Sequence, residues 1–203
     1  MRAPYPLRAG PFTPFTVLWM DHRSRIRRRL RSLAGLELFN IPFQAAVWFG
    51  SLGLPLTAAN ATGFALVALV LLEGAAYWAA KLRRLRAPGG PLPFATAFAS
   101  ARLANPPLLA AGVAFTTWSV VMDPGAGTIP GLGFAVFGVL EHVNYFHTQL
   151  MYDTREDLRH LRSKGFRRSH LARDLERRSL TPAERRERSF RRPRAARRPS
   201  SRP

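Results

Sequence analysis

Four stretches of the chain are apolar for long enough to suggest membrane spans. GLELFNIPFQAAVWFGSLGLPL (35–56) and NATGFALVALVLLEGAAYWAAK (60–81) each supply the roughly 20 residues that a helix needs to cross a hydrocarbon core about 30 Å thick. PLLAAGVAFTTWSVVM (107–122) would make only about 24 Å of helix. It is expected to recruit part of PFATAFASARLAN before it, giving a span over 100–122 with a break at Asn105-Pro106-Pro107. The fourth span, 129–151, has Thr128 as N-cap and Pro130 in its first turn, both suited to a helix start. The pattern predicts an all-α integral membrane protein, a bundle of four transmembrane helices.

Polar residues interrupt these spans at restricted places. Residues 140–153 read LEHVNYFHTQLMYD. At 100° per residue, Glu141, Tyr145, Thr148 and Tyr152 share one helical face, flanked by Asn144 on one side and by His142 and Gln149 on the other. In the first span Glu37, Asn40 and Gln44 share a face at i, i+3, i+7. Laid side by side, the two spans bring Gln44 level with Glu141, Asn40 near Asn144 and Glu37 near Thr148. Pro42 cannot donate to the carbonyl of Leu38, which is left for a side chain or water. The second span adds Glu73 and Tyr77, and the third adds Arg102 and Asn105. Translocon scales charge about 2.5–3.5 kcal/mol for an aspartate or basic residue at mid-helix, against about 0.3–0.6 returned by one leucine. These groups are therefore expected to face one another or a water-filled cleft. Arg102 is the cation placed to neutralise a glutamate. Close helix approach is available at Gly74, Ala75, Ala76, Ala79 and Ala80, and at the small-xxx-small pair Gly131 and Ala135.

Charge fixes an orientation. Of 203 residues, 31 are Lys or Arg and 12 are Asp or Glu, a formal net charge of +19. Six arginines from Arg23 to Arg31 precede the first span, and Lys81, Arg83, Arg84 and Arg86 lie between the second and third. Eighteen of the thirty-one cations follow the fourth. The connections 51–59 and 123–128 hold one charge, Asp123. The positive-inside rule places both termini and the middle loop in the cytoplasm. The expected location is the inner (cytoplasmic) membrane of a bacterial-type cell, crossed four times. No secretory signal pattern opens the chain, because the arginine cluster lies too far in.

The two ends flank this core. Residues 1–34 form a basic cytoplasmic or interfacial segment, of which 21–36 could lie as a helix on the membrane surface but reads rather as a solvated basic flank that orients the first span. The transmembrane domain covers 35–152. Residues 153–190 are expected to be a charged helical tail: Thr154 and Asp157 look like a capping box, Gly165 a stop, and Thr181-Pro182 a second start. Residues 191–203, rich in arginine and proline, have nothing to bury and are expected to be disordered. The tail suits anionic lipid headgroups, worth about 1 kcal/mol per nearby cation. It carries no zinc-finger spacing, RNP-type aromatic pattern or GXXG clamp, so no specific nucleic-acid partner is expected.

Chemistry is restricted by what is missing. With no cysteine there are no disulfides, thiolate metal sites or cysteine nucleophiles. Glu37, Glu73, Glu141 and His142 offer metal-ligand types, but the di-iron bundle pattern needs Glu-x-x-His on two helices, and Asn144 stands where that histidine would. No metal or other cofactor is expected. Walker A, G-x-S-x-G and H-E-x-x-H motifs are absent. His22, His160 and His170 read as solvated. The expected function is an interaction or assembly subunit, binding anionic lipid and a protein partner or a second copy of itself. The first alternative is a small proton- or cation-coupled transporter using Glu141, Glu73 and Glu37. A membrane enzyme acting on a lipid or quinone, with Glu141 and His142 as acid and base, is the third reading.

Overall fold

The computed structural model describes residues 14–86, 91–150, 159 and 167–179, with backbone alone for 14–23 and 177–179. Among these residues lie five α-helices and no strand: α1 (Pro14–Ala45), α2 (Ala58–Arg86), α3 (Ala95–Met122), α4 (Ile129–Phe146) and α5 (His170–Ser179). A π-helix, Ala46–Ser51, continues α1 one turn beyond Pro42. Its i→i−5 bond runs from the Leu52 N–H to the Val47 carbonyl at 2.9 Å. The turn closes where Gly53 adopts φ +65° and the Leu54 N–H reaches the Trp48 carbonyl at 3.0 Å, a left-handed stop that glycine allows.

Helix α2 is the centre, packed against α1, α3 and α4. Its first turn is capped by Thr57, whose hydroxyl accepts the Asn60 N–H at 3.2 Å. Its last turn carries Arg83, Arg84 and Arg86, which suit the negative end of the helix dipole. Helix α4 approaches α2 closely because of its small residues. A Cβ on Gly63 would collide with the Gly131 carbonyl, and one on Gly131 with the backbone of Ala59 and Asn60. Ala135, one turn on, is fully buried, and Gly138 faces Leu66 and Val67. Asn60 pins the same contact. Its side-chain amide donates to the carbonyls of Pro55 (2.8 Å) and Ala126 (2.9 Å), and its Oδ1 accepts the Gly131 N–H at 2.8 Å. The end of the bundle formed by the connections 52–57 and 123–128 is thus held by buried Asn60 and by the Thr57 hydroxyl, which donates to the Gly127 carbonyl.

At the opposite, arginine-bearing end, α5 lies across α3 and α4. Ser169 starts it: its hydroxyl accepts the Ala172 N–H at 3.1 Å and donates to the carbonyl of Tyr145. Leu171, Ala172 and Leu175 are buried, and the two leucines belong to the cluster that holds Leu92, Ala95 and Phe98.

Several boundaries differ from the sequence expectation. Residues 21–36 do not form a separate surface helix; they are the middle of α1, which runs unbroken from Pro14. No break occurs at Asn105-Pro106-Pro107, since α3 passes through both prolines. The missing donors free only the carbonyls of Arg102 and Leu103, which a helix among neighbours tolerates. Helix α4 stops at Phe146, five residues before the expected end at 151, where His147 leaves helical geometry at φ −127°. The capping boxes at Thr154 and Thr181, Gly165, and the segments 1–13 and 191–203 lie outside the described residues.

Among the described residues one helix, α2, is long and apolar enough by composition to cross a membrane. The others are diluted by polar residues: arginines through the first half of α1, Arg102 and the Asn-Pro-Pro step in α3, and Glu141, His142 and Asn144 within the 18 residues of α4. Large apolar side chains nevertheless cover the outside. Leu103 is 78% exposed, Val121 66% and Trp118 62% on α3; Phe39 is 61% exposed on α1; Ile129 is 54% and Leu140 50% exposed on α4.

The α2–α4 contact can be tested at its narrowest point. Gly63→Ala forces the two helices apart and should lower unfolding stability by about 1–3 kcal/mol. Gly133→Ala, with open space around the added methyl, should change it by less than about 0.5 kcal/mol. Thermal unfolding of the two variants checks this.

Candidate functional site

The polar residues of the helices gather into three groups toward the arginine-bearing end. The first joins α1 to α4. The Tyr145 hydroxyl donates to Glu37 Oε1. Tyr145 reaches it across α2 because Gly74 leaves room for its ring; a Cβ there would strike the phenol. Glu141 lies near Glu37 and accepts a long bond, 3.4 Å, from the Asn144 amide one turn on. The Asn144 carbonyl oxygen accepts the Leu150 N–H at 2.8 Å, which ties the chain leaving α4 back to its last turn.

The second group joins α2, α3 and α4. Asn105, 4% exposed, donates through Nδ2 to Glu73 Oε2 at 2.7 Å and lies 3.4 Å from His142 Nδ1. An amide nitrogen carries two protons and no free lone pair, so His142 Nδ1 can only accept, and the imidazole proton sits on Nε2. That Nε2 is buried and meets no hydrogen-bond partner among the described residues. The His142 ring stacks on Phe146 at 4.7 Å between centroids.

The third group docks α5. Asp174 accepts from the Tyr77 hydroxyl at 2.9 Å and pairs with Lys81 (3.6 Å) and Arg84 (3.7 Å). His170 Nδ1 lies 3.4 Å from Lys81 Nζ and 3.1 Å from the Arg173 guanidinium. Its ring faces Trp78 at 6.2 Å. Partial loss of water against these neighbours, then the cations Lys81, Arg173 and Arg167, push its pKa down to about 4, with Asp174 opposing.

The structure therefore brings together Glu37 with Tyr145, Glu141 with Asn144, and Glu73 with His142 through Asn105. The expected register between α1 and α4 is corrected. Gln44 does not reach Glu141; its Oε1 accepts the Trp48 indole N–H at 2.7 Å on its own helix. Asn40 makes no hydrogen bond to Asn144, and Glu37 meets Tyr145 and not Thr148. The cause is that α1 packs on α2, so only long side chains span to α4. Thr148 and Gln149 are not on the α4 face. Thr148 makes an isolated antiparallel bridge to Arg168, and the Gln149 N–H donates to the Arg167 carbonyl at 2.9 Å. Tyr152 lies outside the described residues. Arg102 forms no ion pair with Glu37, Glu73 or Glu141; the glutamates take neutral donors instead. Tyr77 faces α5 and not the other polar groups, and His170 is part of that docking contact and not merely solvated.

Chemically, the network can hold helices in register. It does not place acid and base together: Glu141 turns to α1 and His142 to α3, one helical step apart. Glu73 and His142 are joined through an amide, which donates to both and relays no proton. Among the described residues no three His, Cys, Asp or Glu side chains converge to hold a metal.

Sequence reasoning missed two features. Asn60 shows as a polar residue opening an apolar run, a position that reads as surface. The helical tail expected over 153–190 does contain α5, but its start at Ser169 and its docking through Leu171 and Leu175, four residues apart, were not placed, a stripe too short to register within so many arginines.

Asn105→Ala strips Glu73 and His142 of their shared donor and should lower stability by about 1–3 kcal/mol. Replacing Asn105 and Glu73 together by leucine should recover part of this, because no charged group is left without a donor. Thermal unfolding of single and double variants measures the difference. Docking of α5 should also depend on pH. The His170 pKa is lower when docked than when free, so the free segment binds the extra proton. Docking is then fully favoured above about pH 6.5 and weakens as pH falls toward about 4. Protection of the amides at 171–175, corrected for the intrinsic slowing of exchange at lower pH, should fall over that interval, and less so in His170→Gln.

Comparison with family models, curated proteins and solved structures finds no match for this chain.

Proposed function

We propose that the chain is a four-span membrane protein, with α1 through its π-helical end, α2, α3 and α4 as the spans, and that it serves as an interaction or assembly subunit. The observation that carries this reading is the inside-out distribution of its side chains. Large apolar residues of α1, α3 and α4 face outward, whereas Glu37, Glu73, Glu141 and His142 turn inward and meet Tyr145, Asn105, Asn144 and Asn105 respectively. A contiguous apolar surface of that extent marks a membrane or partner interface. Polar groups paired across helices are what such an environment demands. The arginine-bearing end, with α5 docked on it, is the cytoplasmic one by the positive-inside rule. It would meet anionic headgroups and a protein partner there, and a second copy of the chain could take the same place.

Three glutamates turned into the bundle, beside a His142 whose Nε2 is buried and meets no partner among the described residues, favour a second reading, a small proton- or cation-coupled transporter using Glu141, Glu73 and Glu37. The two readings separate in liposomes. A subunit role leaves no ion flux to lose, and Glu73→Gln and Glu141→Gln alter stability alone. A transporter shows a proton- or cation-dependent flux that Glu141→Gln abolishes in a folded protein.

The topology has its own test, made simple by the absence of cysteine. In intact bacterial cells, single cysteines at Leu52 and Gly125 should react with a membrane-impermeant maleimide. One at Leu85 should react only after the membrane is opened. Equal labelling of all three before lysis would remove the four-span arrangement.

A further inference from the structure

Helix α1 has two faces with different tasks. Leu30 is buried, Glu37 bonds to Tyr145, and Gln44 lies close to their side of the helix. Away from that side, Arg25, Arg28, Arg29 and Ser32 share a face at i, i+3, i+4 and i+7. With Leu33 they line an open cleft of about 430 Å³. The same face continues along the helix as Leu36, Phe39 and Phe43, 60%, 61% and 52% exposed. The two phenylalanine rings stack at 5.6 Å. From Leu33 to Phe43 the helix rises about 15 Å, half of a hydrocarbon core about 30 Å thick.

We propose that this face of α1 binds one anionic phospholipid, its phosphate in the cleft of Arg25, Arg28, Arg29 and Ser32 and its acyl chains along Leu36, Phe39 and Phe43. The guanidinium forks match phosphate oxygens, and Ser32 adds a hydroxyl donor. Charge alone would also fit free phosphate. The apolar strip, one leaflet deep and in line with the cleft, selects a ligand with chains. Arg27 and Arg31 lie on the other side of the helix and do not line the cleft. The inference rests on the membrane reading above, since it needs α1 to stand in a leaflet.

The test uses the full chain, delipidated in neutral detergent and titrated with phosphatidylglycerol or with phosphatidylcholine of the same chains, binding being read by native mass spectrometry. Phosphatidylglycerol should bind at least about tenfold tighter. The pair Arg28→Gln with Arg29→Gln should erase that preference, and the pair Arg27→Gln with Arg31→Gln, equal in charge removed, should leave it within about twofold. Equal losses from the two pairs, or equal binding of the two lipids by the parent protein, overturn the site. Displacement of the lipid by millimolar inorganic phosphate identifies a free-phosphate site and overturns the lipid assignment; retention supports it. Flotation of the parent protein with purely phosphatidylcholine vesicles reads the membrane assignment separately. Flotation with no lipid preference sinks the site alone, and failure to float sinks the membrane reading and the site with it.

Discussion

The separation of α2 and α4 is set by glycine. Where Gly63 meets Gly131, neither helix has room for a methyl group, and the buried Asn60 locks the step with a bond to the Gly131 N–H. Every other cross-helix contact inherits this spacing. Tyr145 can lie over Gly74 and reach Glu37 only because the backbones are already close. His142 can approach Asn105 only because α4 is fixed against the same helix that presents Glu73. A bundle held further apart would leave these groups a water's width from their partners, and a buried polar group without a partner costs about 1–3 kcal/mol.

The hydrogen bonding is arranged to suit burial between helices. Each of the three glutamates finds a neutral donor: a phenol for Glu37 and amides for Glu73 and Glu141. A buried ion pair would require two desolvated charges to be balanced by geometry alone, whereas an amide or phenol satisfies one oxygen with little desolvation of its own. Thr116 and Ser119 solve the same problem locally, donating to carbonyls one turn back, at Gly112 and Phe115. Cations are kept to the end, where Lys81 and Arg84 converge on Asp174.

Much of this was legible in the sequence. Periodicity placed α2 and the start of α4 to within a few residues, and named Glu37, Glu73, Glu141, His142, Asn144 and Tyr145 as a group. Small residues at Gly131, Ala135 and Gly74 marked the close contacts correctly. What failed was partner choice. The polar faces of α1 and α4 could be laid side by side, but α2 stands between the helices, and no pattern within one helix reports its neighbour. The end of α4 was misplaced because Thr148 and Gln149 continue the polar stripe perfectly well; what stops the helix is the segment at 167–169, which offers backbone partners from far along the chain. Tertiary competition of this kind is invisible to local propensity.

The arginines divide by the same logic. On α2, Arg84 is turned toward α5 and contributes to closing the bundle, so its charge is spent inside the molecule. On α1, Arg28 and Arg29 stand clear of any acidic residue that the described structure brings to them. Charges that serve only to orient a span need no particular angular position, since counting them is enough. Alignment of these two with Ser32 and with Leu36, Phe39 and Phe43 over one continuous face is more than orientation requires. It is the arrangement expected where a cationic cleft and an apolar strip answer a single ligand that is charged at one end and greasy along its length.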